Sequence, residues 1–262
     1  MRLTIVGPGR AGGSIAIAAV RAGHQISGVL SRSGDTSFGP LISPDGPLPE
    51  SDLLLIAVRD DAIIEVAEGL ADRVAAIPVA AHLSGFLPLT SLRALAEKGL
   101  SIGGFHPLQT LPDPERGADA LAGSFVGIDG DALAIDILTH LASSLRMEPF
   151  RLDDTIRPAY HAAAAAASNF VLTALATSGD LFESAGVDPR VARPLVERAV
   201  ANFYDQGALA LTGPIARADT DTVIGHLEAA RTVSEDVGRQ FRLMAEATAI
   251  RAGRPDEVGL WT

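Results

Sequence analysis

Two histidines follow predicted strands at places where an imidazole could act on a ligand. His82 comes directly after an apolar strand pattern at residues 77–81, and His106 comes directly after another at residues 101–105. The carboxyl ends of strands in an open α/β sheet line the ligand crevice. A histidine there can hydrogen-bond a substrate oxygen or donate a proton near neutral pH. For each of them, a structural histidine that closes the strand end through backbone bonds is an equally weighted alternative.

A third histidine lies on a predicted helix. His161 and Asn169 flank six consecutive alanines, residues 162–167. Positions seven apart nearly superpose on a helix, so His161 shares a face with Ser168, and Asn169 lies about 100° round from it. Polar groups on an otherwise apolar helix need partners when they are buried, and a substrate carbonyl or carboxylate would serve. The alternative for His161 is an interior histidine that the protein itself satisfies.

A glycine-rich segment near the amino terminus predicts the ligand. Residues 7–13 read Gly-Pro-Gly-Arg-Ala-Gly-Gly, between a strand pattern at residues 2–6 and a helical pattern. The first glycine permits a tight turn, the second lets backbone approach a pyrophosphate, and the third lets the helix pack close to the strand. A glycine-rich turn that binds nothing is the alternative. We expect a dinucleotide site, with phosphates on the free N–H groups of the helix start. Its residues would be Gly7, Pro8, Gly9, Arg10, Ala11 and Gly12.

The end of the second strand indicates which dinucleotide is bound. The strand pattern at residues 25–30 ends in Ser31, Arg32 and Ser33. An NAD site usually has a carboxylate here for the ribose 2′-hydroxyl, whereas an NADP site has groups that receive a 2′-phosphate. Arg32 can hold a phosphate through two parallel hydrogen bonds. The sequence therefore predicts NADPH, with a solvated loop arginine as the alternative. We also expect three residues at other strand ends to line the cofactor: Ala57, Val58 and His82.

Composition argues against several classes of partner. A formal net charge of -11 argues against nucleic acid, whose phosphates require a Lys/Arg surface. The absence of cysteine excludes disulfides and thiol chemistry, and no local histidine spacing suggests a metal site. The most apolar run, residues 162–175, is interrupted by Ser168, Asn169 and Thr173 and is too short to span a membrane. Because Met1 leads straight into a strand, we expect a cytoplasmic protein.

The order of the elements predicts two domains. Strand and helix patterns alternate up to residue 152, which predicts a doubly wound parallel sheet. Beyond it, strand signals stop and alanine-rich helical patterns run nearly to the end. We therefore predict an α/β NADP-binding domain at residues 1–152 and an all-α domain for substrate and dimerisation at residues 153–262. The alanine run at residues 162–167 favours close helix contact across a homodimer, although helix propensity alone would also explain it.

A glycine–proline segment joins two predicted helices of the second domain. Residues 212–221 begin with Thr212 and include Arg217. Loops that lie over a site often carry substrate contacts, and Arg217 could hold a carboxylate bidentately. A surface ion pair of Arg217 with Asp219 or Asp221 is an equally weighted alternative. Thr212, Arg217 and Gln109 are the candidate substrate contacts.

Several segments together resemble those of bacterial Rossmann-like proteins with a helical carboxyl-terminal domain of unknown function. That group is similar to ketopantoate reductases, β-hydroxyacid dehydrogenases and pyrroline-5-carboxylate reductases. Those enzymes pair an amino-terminal NADP-binding domain with a helical domain that often dimerises. The segments that carry the resemblance are residues 7–12, 57–61, 82–85, 105–110, 160–161, 168–169 and 212–217.

The resemblance implies roles for individual residues. His161 occupies the apparent place of the catalytic lysine of ketopantoate reductases and β-hydroxyacid dehydrogenases, and Asn169 matches their asparagine. Ser84 falls where ketopantoate reductases have an asparagine near the nicotinamide. His106 with the proline after it resembles a motif of prephenate dehydrogenases. The segment at residues 212–222 looks like the substrate loop of pyrroline-5-carboxylate reductases.

These likenesses lead to the hypothesis of an NADPH-dependent, ketopantoate-like reductase of a small 2-keto acid. Hydride would pass from the nicotinamide to the carbonyl carbon. His161 or His106 would donate the proton, and Asn169 and Ser84 would orient the oxygen. Reduction of a cyclic imine such as pyrroline-5-carboxylate is the alternative within enzymes. A dinucleotide-binding sensor or partner protein without turnover is the other alternative, because the family lysine is replaced by His161.

Overall fold

The first part of the chain forms a seven-stranded sheet. The computed structural model describes residues 1–34, 37–74 and 76–261. The strands are β1 (Arg2–Val6), β2 (Gln25–Leu30), β3 (Leu53–Ile56), β4 (Val79–His82), β5 (Ser101–Leu108), β6 (Phe125–Gly130) and β7 (Glu148–Arg151). Their order in the sheet is β2-β1-β3-β4-β5-β6-β7.

Helices cover both faces of this sheet, as the alternating pattern predicts. Side chains of β3 alternate between two cores, so Leu53 and Leu55 belong to one and Leu54 and Ile56 to the other. This explains why the strand is apolar at every position. The first face carries α1 (Arg10–Arg21), α4 (Pro114–Leu121) and α5 (Ala132–Ser144), and the second carries α2 (Ile63–Leu70) and α3 (Arg93–Ala96). Short 3₁₀ turns lie at Asp60–Ala62, Ala71–Arg73 and Leu89–Leu92.

The fold class is confirmed, with one correction to the strand directions. The first five strands run parallel, but β6 pairs with β5 antiparallel, and β7 runs parallel to β6. Leu108, the last residue of β5, lies opposite Phe125, the first of β6. The connection between them, which contains the short α4 (Pro114–Leu121), therefore begins and ends at the same end of the sheet. Helix α4 is not among the elements predicted from the sequence.

A second correction concerns β5, which continues beyond residue 105. β4 ends at His82 opposite Gly104, so the end of β5 is bordered by β6 alone. A proline is tolerated in a strand where a neighbouring strand is missing, and Pro107 lies in this part. His106 is consequently a residue within the strand and not of the loop that follows it.

Three strand ends meet where the strand order reverses. β1 lies between β2 and β3, and the N–H groups of the residues after β1 and β3 bond to neighbouring strand ends. Gly7 donates to the Leu30 carbonyl at 2.9 Å, and Ala57 donates to the Val6 carbonyl at 2.8 Å. Ligand crevices of open α/β sheets form at such switch points.

The chain divides into two compact units, residues 1–165 and 166–262. Helix α6 (Arg157–Ala165) belongs to the first unit, so the boundary proposed at residues 152–153 marks the end of the strands. The second unit contains a π-helical turn at Ala166–Phe170, then α7 (Val171–Ser184), α8 (Arg193–Gln206), α9 (Thr220–Val233) and α10 (Glu235–Arg251). Its 3₁₀ turns are Pro189–Ala192, Gly207–Ala210 and Pro255–Trp261.

The core of the second unit joins α9, α10 and the final turn. A hydrogen bond of 2.8 Å from the buried Thr177 hydroxyl to the Gln240 side chain ties α7 to α10. The buried residues of this core are Val223, Leu227, Ala245, Ala249 and Trp261.

The expectation that no segment is long enough to span a membrane needs correction. Helices α6 and α7 join through the π turn into one helix, Arg157–Ser184, of 28 residues. By length and composition alone it could cross a membrane, because its polar side chains are diluted among alanines and leucines. Only 6% of its most apolar stretch is buried within the chain.

We expect Gly117→Ala to destabilise the first unit. A Cβ at residue 117 would collide with the Ser14 hydroxyl, which is fully buried where α4 packs on α1. Overpacking of this kind should lower the free energy of unfolding by about 1–3 kcal/mol in urea titrations. Gly69→Ala on α2 is the matched control, because no described atom lies within 4 Å of its Cβ position. Equal stability changes in both variants would contradict this packing.

Candidate functional site

The glycine loop leaves space at one of its three glycines. Gly7 has a φ of +85°, and a Cβ there would lie 2.8 Å from a Val58 methyl carbon. A Cβ on Gly12 would collide with the Gly7 carbonyl oxygen. In contrast, no described atom lies within 4 Å of the Cβ position of Gly9. The loop is thus closed against β1 and β3 but open at Gly9, where a phosphate group would approach.

The amino end of α1 is electrostatically prepared for an anion. Gly9 caps the helix without a side-chain hydrogen bond, and the described first turn holds no acidic residue. Its free N–H groups and the helix dipole favour negative charge at this point. Arg10, the first residue of the helix, is exposed and adds a cation. A diphosphate therefore fits this end of α1.

The segment after β2 offers a second place for an anion. The Ser31 and Ser33 hydroxyls lie 2.9 Å apart, with the exposed Arg32 between them in sequence. Within the described residues, Arg32 has no ion-pair partner. The carbonyl of Leu30, just before this segment, accepts the Gly7 N–H, so both anion sites border one crevice. This arrangement fits a nucleotide with an additional ribose phosphate.

Further along the same edge, His106 forms a polar pair with Tyr160 of α6. The Nδ1 atom of His106 lies 2.7 Å from the Tyr160 hydroxyl oxygen. The ring of His161 lies edge-on to His106 with 6.0 Å between ring centroids, and Phe86 lies at the same distance from His161. A Cβ on Gly85 would lie 2.7 Å from His106 Nε2, so only glycine leaves room for this imidazole.

Burial keeps both members of this pair neutral. It lowers the pKa of His106 to about 4; His161 and Arg157 act in the same direction, and Asp60 opposes them. Burial raises the pKa of Tyr160 to about 12, while Arg157 opposes this rise. At neutral pH the imidazole is thus neutral, with a proton on one of its two ring nitrogens, and the phenol keeps its proton.

Ser84 organises the loop after β4. Its hydroxyl donates to Asp60 at 2.7 Å and accepts the N–H groups of Phe86 at 3.1 Å and Leu87 at 2.9 Å. Its single proton is committed to Asp60, which leaves none to donate to a substrate oxygen.

His82 is fully buried at the end of β4. Neither ring nitrogen makes a hydrogen bond within the described part of the chain, although the Pro88 carbonyl lies close enough to favour the protonated form weakly. Burial lowers the pKa of His82 to about 4, and Arg157 acts in the same direction. Only backbone atoms of this residue would reach a cofactor, because its side chain points into the protein.

Of the other candidate substrate contacts, Gln109 bonds residues outside this cluster and the rest belong to the second unit. The Gln109 side chain donates to the Ala120 carbonyl at 3.3 Å and accepts from the Thr110 N–H at 2.8 Å. The second unit contains Asn169 in the π turn, Thr212, and Arg217, and all three are exposed. Arg217 forms no ion pair with Asp219, whose carboxylate caps α9 at Thr222.

Three residues of the cluster have no role that the sequence predicts. Tyr160 stands beside His161 and is part of the family resemblance alone. The bond of Asp60 to Ser84 depends on tertiary structure. Arg157 is 1% exposed, which is unusual for an arginine and has no sequence signal. No described group of three His, Cys, Asp or Glu residues could hold a metal ion.

The comparisons with known proteins agree with this fold. Residues 124–248 match the family model described as a domain of unknown function (DUF2520), which covers slightly less than half of the chain. None of the curated proteins compared with the chain matches it significantly. The matched range begins at β6, so the similarity to this domain includes the last two strands of the Rossmann-like sheet as well as most of the helical second unit.

Solved structures match over nearly the whole chain. A proposed NADP oxidoreductase from Bacteroides fragilis is 22% identical with a TM-score of 0.79, covering 95% of this chain and 98% of that chain. An imine reductase from Streptomyces aurantiacus is 17% identical with a TM-score of 0.70, covering 99% of both. A pyrroline carboxylate reductase from Plasmodium falciparum, with NADP bound, is 12% identical with a TM-score of 0.63, covering 96% and 99%. At these identities the likeness establishes the fold.

We expect Arg32→Ala to weaken NADPH binding selectively. Loss of one charge-assisted contact to the 2′-phosphate should cost about 1.5–3 kcal/mol. NADH lacks that phosphate, so its affinity should change little. Fluorescence titration of both nucleotides with wild type and variant measures this, and Arg93→Ala, an exposed arginine on α3, is the control. If the wild type binds NADPH and NADH equally, Arg32 does not select the cofactor.

Proposed function

We propose that this protein is an NADPH-dependent reductase that reduces a carbon–nitrogen double bond in a small substrate. The observation that carries the proposal is the open, unneutralised amino end of α1 at Gly9, on the same sheet edge as the neutral Tyr160–His106 pair. The neighbours named as imine and pyrroline carboxylate reductases support the substrate class.

NADPH would be held by the glycine loop and the segment after β2. Gly9, Arg10 and the first turn of α1 would bind the diphosphate, and Arg32 with its two serines would bind the 2′-phosphate. When bound, the cofactor supplies a hydride. The role of the protein is then to orient the substrate and to provide the matching proton.

The Tyr160–His106 pair holds one proton beyond the one in its own hydrogen bond. If Tyr160 donates to Nδ1, the imidazole keeps a proton on Nε2; if Nδ1 donates to Tyr160, the hydroxyl hydrogen is free. Because Nε2 lies against Gly85, the second arrangement offers the proton to a ligand. Tyr160 would therefore be the donor, with His106 behind it and His161 beside it.

The charges of the cluster favour an imine over a ketone. The reacting group of an imine becomes positively charged when it is protonated, whereas that of a ketone does not. The Asp60 carboxylate, which bonds Ser84 beside the cluster, suits that cation. His106 and Tyr160 are both neutral at neutral pH, so neither of them repels it.

Reduction of a 2-keto acid is the second candidate, because the Tyr160 hydroxyl, hydrogen-bonded to His106, could also donate a proton to a carbonyl oxygen.

The experiment that tests the proposal is NADPH oxidation with a matched substrate panel. The panel contains 2-dehydropantoate, pyrroline-5-carboxylate and an unsubstituted cyclic imine. We expect kcat/KM to be highest for an imine. Faster reduction of the keto acid would leave a reductase but overturn the substrate class. NADPH binding without oxidation by any compound would support a sensor without turnover.

Tyr160→Phe should lower kcat by roughly a hundredfold or more, the usual scale for a positioned proton donor. His106→Ala should have a similar effect, because it removes the partner of the hydroxyl. NADPH affinity and melting temperature are measured on the same preparations and should change little. Tyr204→Phe, which alters the other and highly exposed tyrosine, is the control. If His161→Ala alone abolishes turnover, the donor is His161, as the family resemblance implies.

We further propose that the protein forms a homodimer through its helical second unit and that it is cytoplasmic. This unit exposes many large apolar side chains, and the helix Arg157–Ser184 is hardly buried within the chain. A second copy could cover them over the roughly 800 Å² per partner of a standard interface. The most exposed of these residues are Phe170, Leu172, Leu195, Phe203, Tyr204, Leu209, Leu243 and Ile250.

Leu195→Glu should shift the protein from dimer towards monomer. Leu195 on α8 is 70% exposed, and a carboxylate there would be desolvated in an apolar interface. Sedimentation at micromolar concentration measures the mass against the 27.1 kDa of one chain. Ile64→Glu, an exposed apolar position on α2, is the matched control and should leave the dimer intact. A wild-type monomer, or co-sedimentation with lipid vesicles, would contradict the proposal.

A further inference from the structure

Arg157, the first residue of α6, is buried among elements that meet at the candidate site. Its Nε donates to Asp154 at 2.7 Å, and its Nη1 donates to the Ser84 carbonyl at 3.3 Å. Its Nη2 lies 3.8 Å from an Asp129 carboxylate oxygen on β6 and makes no hydrogen bond within the described residues. The guanidinium therefore connects the start of α6, the loop after β4, and β6.

The fourth contact of Arg157 is with β5. A Cβ on Gly104 would lie 2.6 Å from Nη2, so the guanidinium rests on the glycine backbone where any side chain would exclude it. Gly104 and His106 are two positions apart on a strand, so their side-chain positions share a face, about 6.6 Å apart. Arg157 therefore lies one strand repeat from His106 on the same face of β5.

The spacing on the helix matches the spacing on the strand. Tyr160 and His161 follow Arg157 by three and four residues, which places them on the same helix face, about 4.5–6 Å further along the axis. Placing Arg157 over Gly104 thus places Tyr160 and His161 over His106. The hydrogen bond of 2.7 Å between His106 and Tyr160 is the result of that register.

The bond from Arg157 to the loop after β4 also positions a residue that contacts His106. Arg157 holds the Ser84 carbonyl, and the next residue, Gly85, lies against the His106 imidazole. Asp154 accepts the Leu89 N–H at 3.2 Å as well as the Arg157 Nε, which fixes the far end of the loop. The loop after β4 and helix α6, which both contact the His106 imidazole, are therefore both connected to the Arg157 side chain.

We propose that Arg157 is a positioning residue that sets the register of α6 on β5 and thereby assembles the Tyr160–His106 proton donor. It acts through other residues, because it is buried and does not reach a ligand. The inference rests on the proposed reductase function for its effect on turnover. Its effect on His106 itself can be measured without any substrate.

The direct test is the titration of His106 by NMR in the full-length protein. The six histidines are distinguished by comparison with His106→Gln. In the wild type, His106 should titrate near its lowered pKa of about 4. The groups that act on it are Arg157, His161, Tyr160 and Asp60. In Arg157→Met the pair should separate and hydrate, so the midpoint should rise towards the ordinary value of about 6.5.

Three further variants separate positioning from charge and from stability. Arg157→Lys keeps the positive charge but loses the planar guanidinium, and Gly104→Ala displaces the guanidinium but keeps its charge. Both should raise the His106 midpoint by less than Arg157→Met does. Arg151→Met is the matched control, because Arg151 bonds the same Asp129 at 3.1 Å from an exposed position. It should leave the midpoint unchanged.

Turnover should follow the same order. With the best substrate of the panel, Arg157→Met should lower kcat by roughly a hundredfold, the scale expected for a reacting group misplaced by about 1 Å. KM for NADPH should stay constant. An unchanged His106 midpoint in every Arg157 and Gly104 variant that folds, or an equal shift in Arg151→Met, would overturn the inference. A shifted midpoint in a protein without turnover would support it while rejecting the reductase proposal.

Discussion

The carbonyl oxygen of Gly7 stands where a side chain at residue 12 would have to lie, and α1 begins against β1 because Gly12 has none. This close approach fixes the helix start at the end of β1, where the strand order reverses. It also brings the free N–H groups of α1 to the crevice instead of burying them in the sheet. Backbone hydrogen bonds then join Gly7 to Leu30 at the end of β2, and Ala57 after β3 to Val6 at the end of β1. These bonds position the segments after β2 and β3 that are expected to bind the cofactor.

Local charge at this crevice is opposite to the charge of the whole chain. The chain carries a net -11, but the loop and the segment after β2 contribute Arg10, Arg32 and a helix amino end without a nearby acid in the described first turn. Screening at physiological salt acts over about 8 Å, so an arriving phosphate responds to these near groups more than to the distant acids. The acidic surface and an anionic ligand are therefore compatible.

The features that sequence predicts here depend on short stretches of chain. The glycine loop, the apolar β3 and the segment after β2 are each specified by neighbouring residues. Most strands of the structure end close to the residues at which the sequence patterns end. The reversal of β6 depends on where a connection returns, and the extension of β5 depends on β4 ending at His82. The Ser84 hydroxyl donates its proton to Asp60, which is 24 residues away in sequence, and the buried Arg157 donates to the Ser84 carbonyl, which is 73 residues away. Such contacts have no local pattern, so the sequence does not predict the hydrogen bonds within the candidate site.

The neutrality of the buried histidines constrains the chemistry more than their identity does. An exposed imidazole near the ordinary pKa of about 6.5 could act as a cationic acid at neutral pH, which is how sequence reasoning treated His106. Burial against Gly85 and α6 removes that charge, and Arg157 opposes its return. The remaining proton is shared with Tyr160, whose raised pKa makes it a weak acid. Without a protonated imidazole in the cluster, no histidine charge repels a cationic iminium group, so the burial of His106 supports the proposal of an imine substrate.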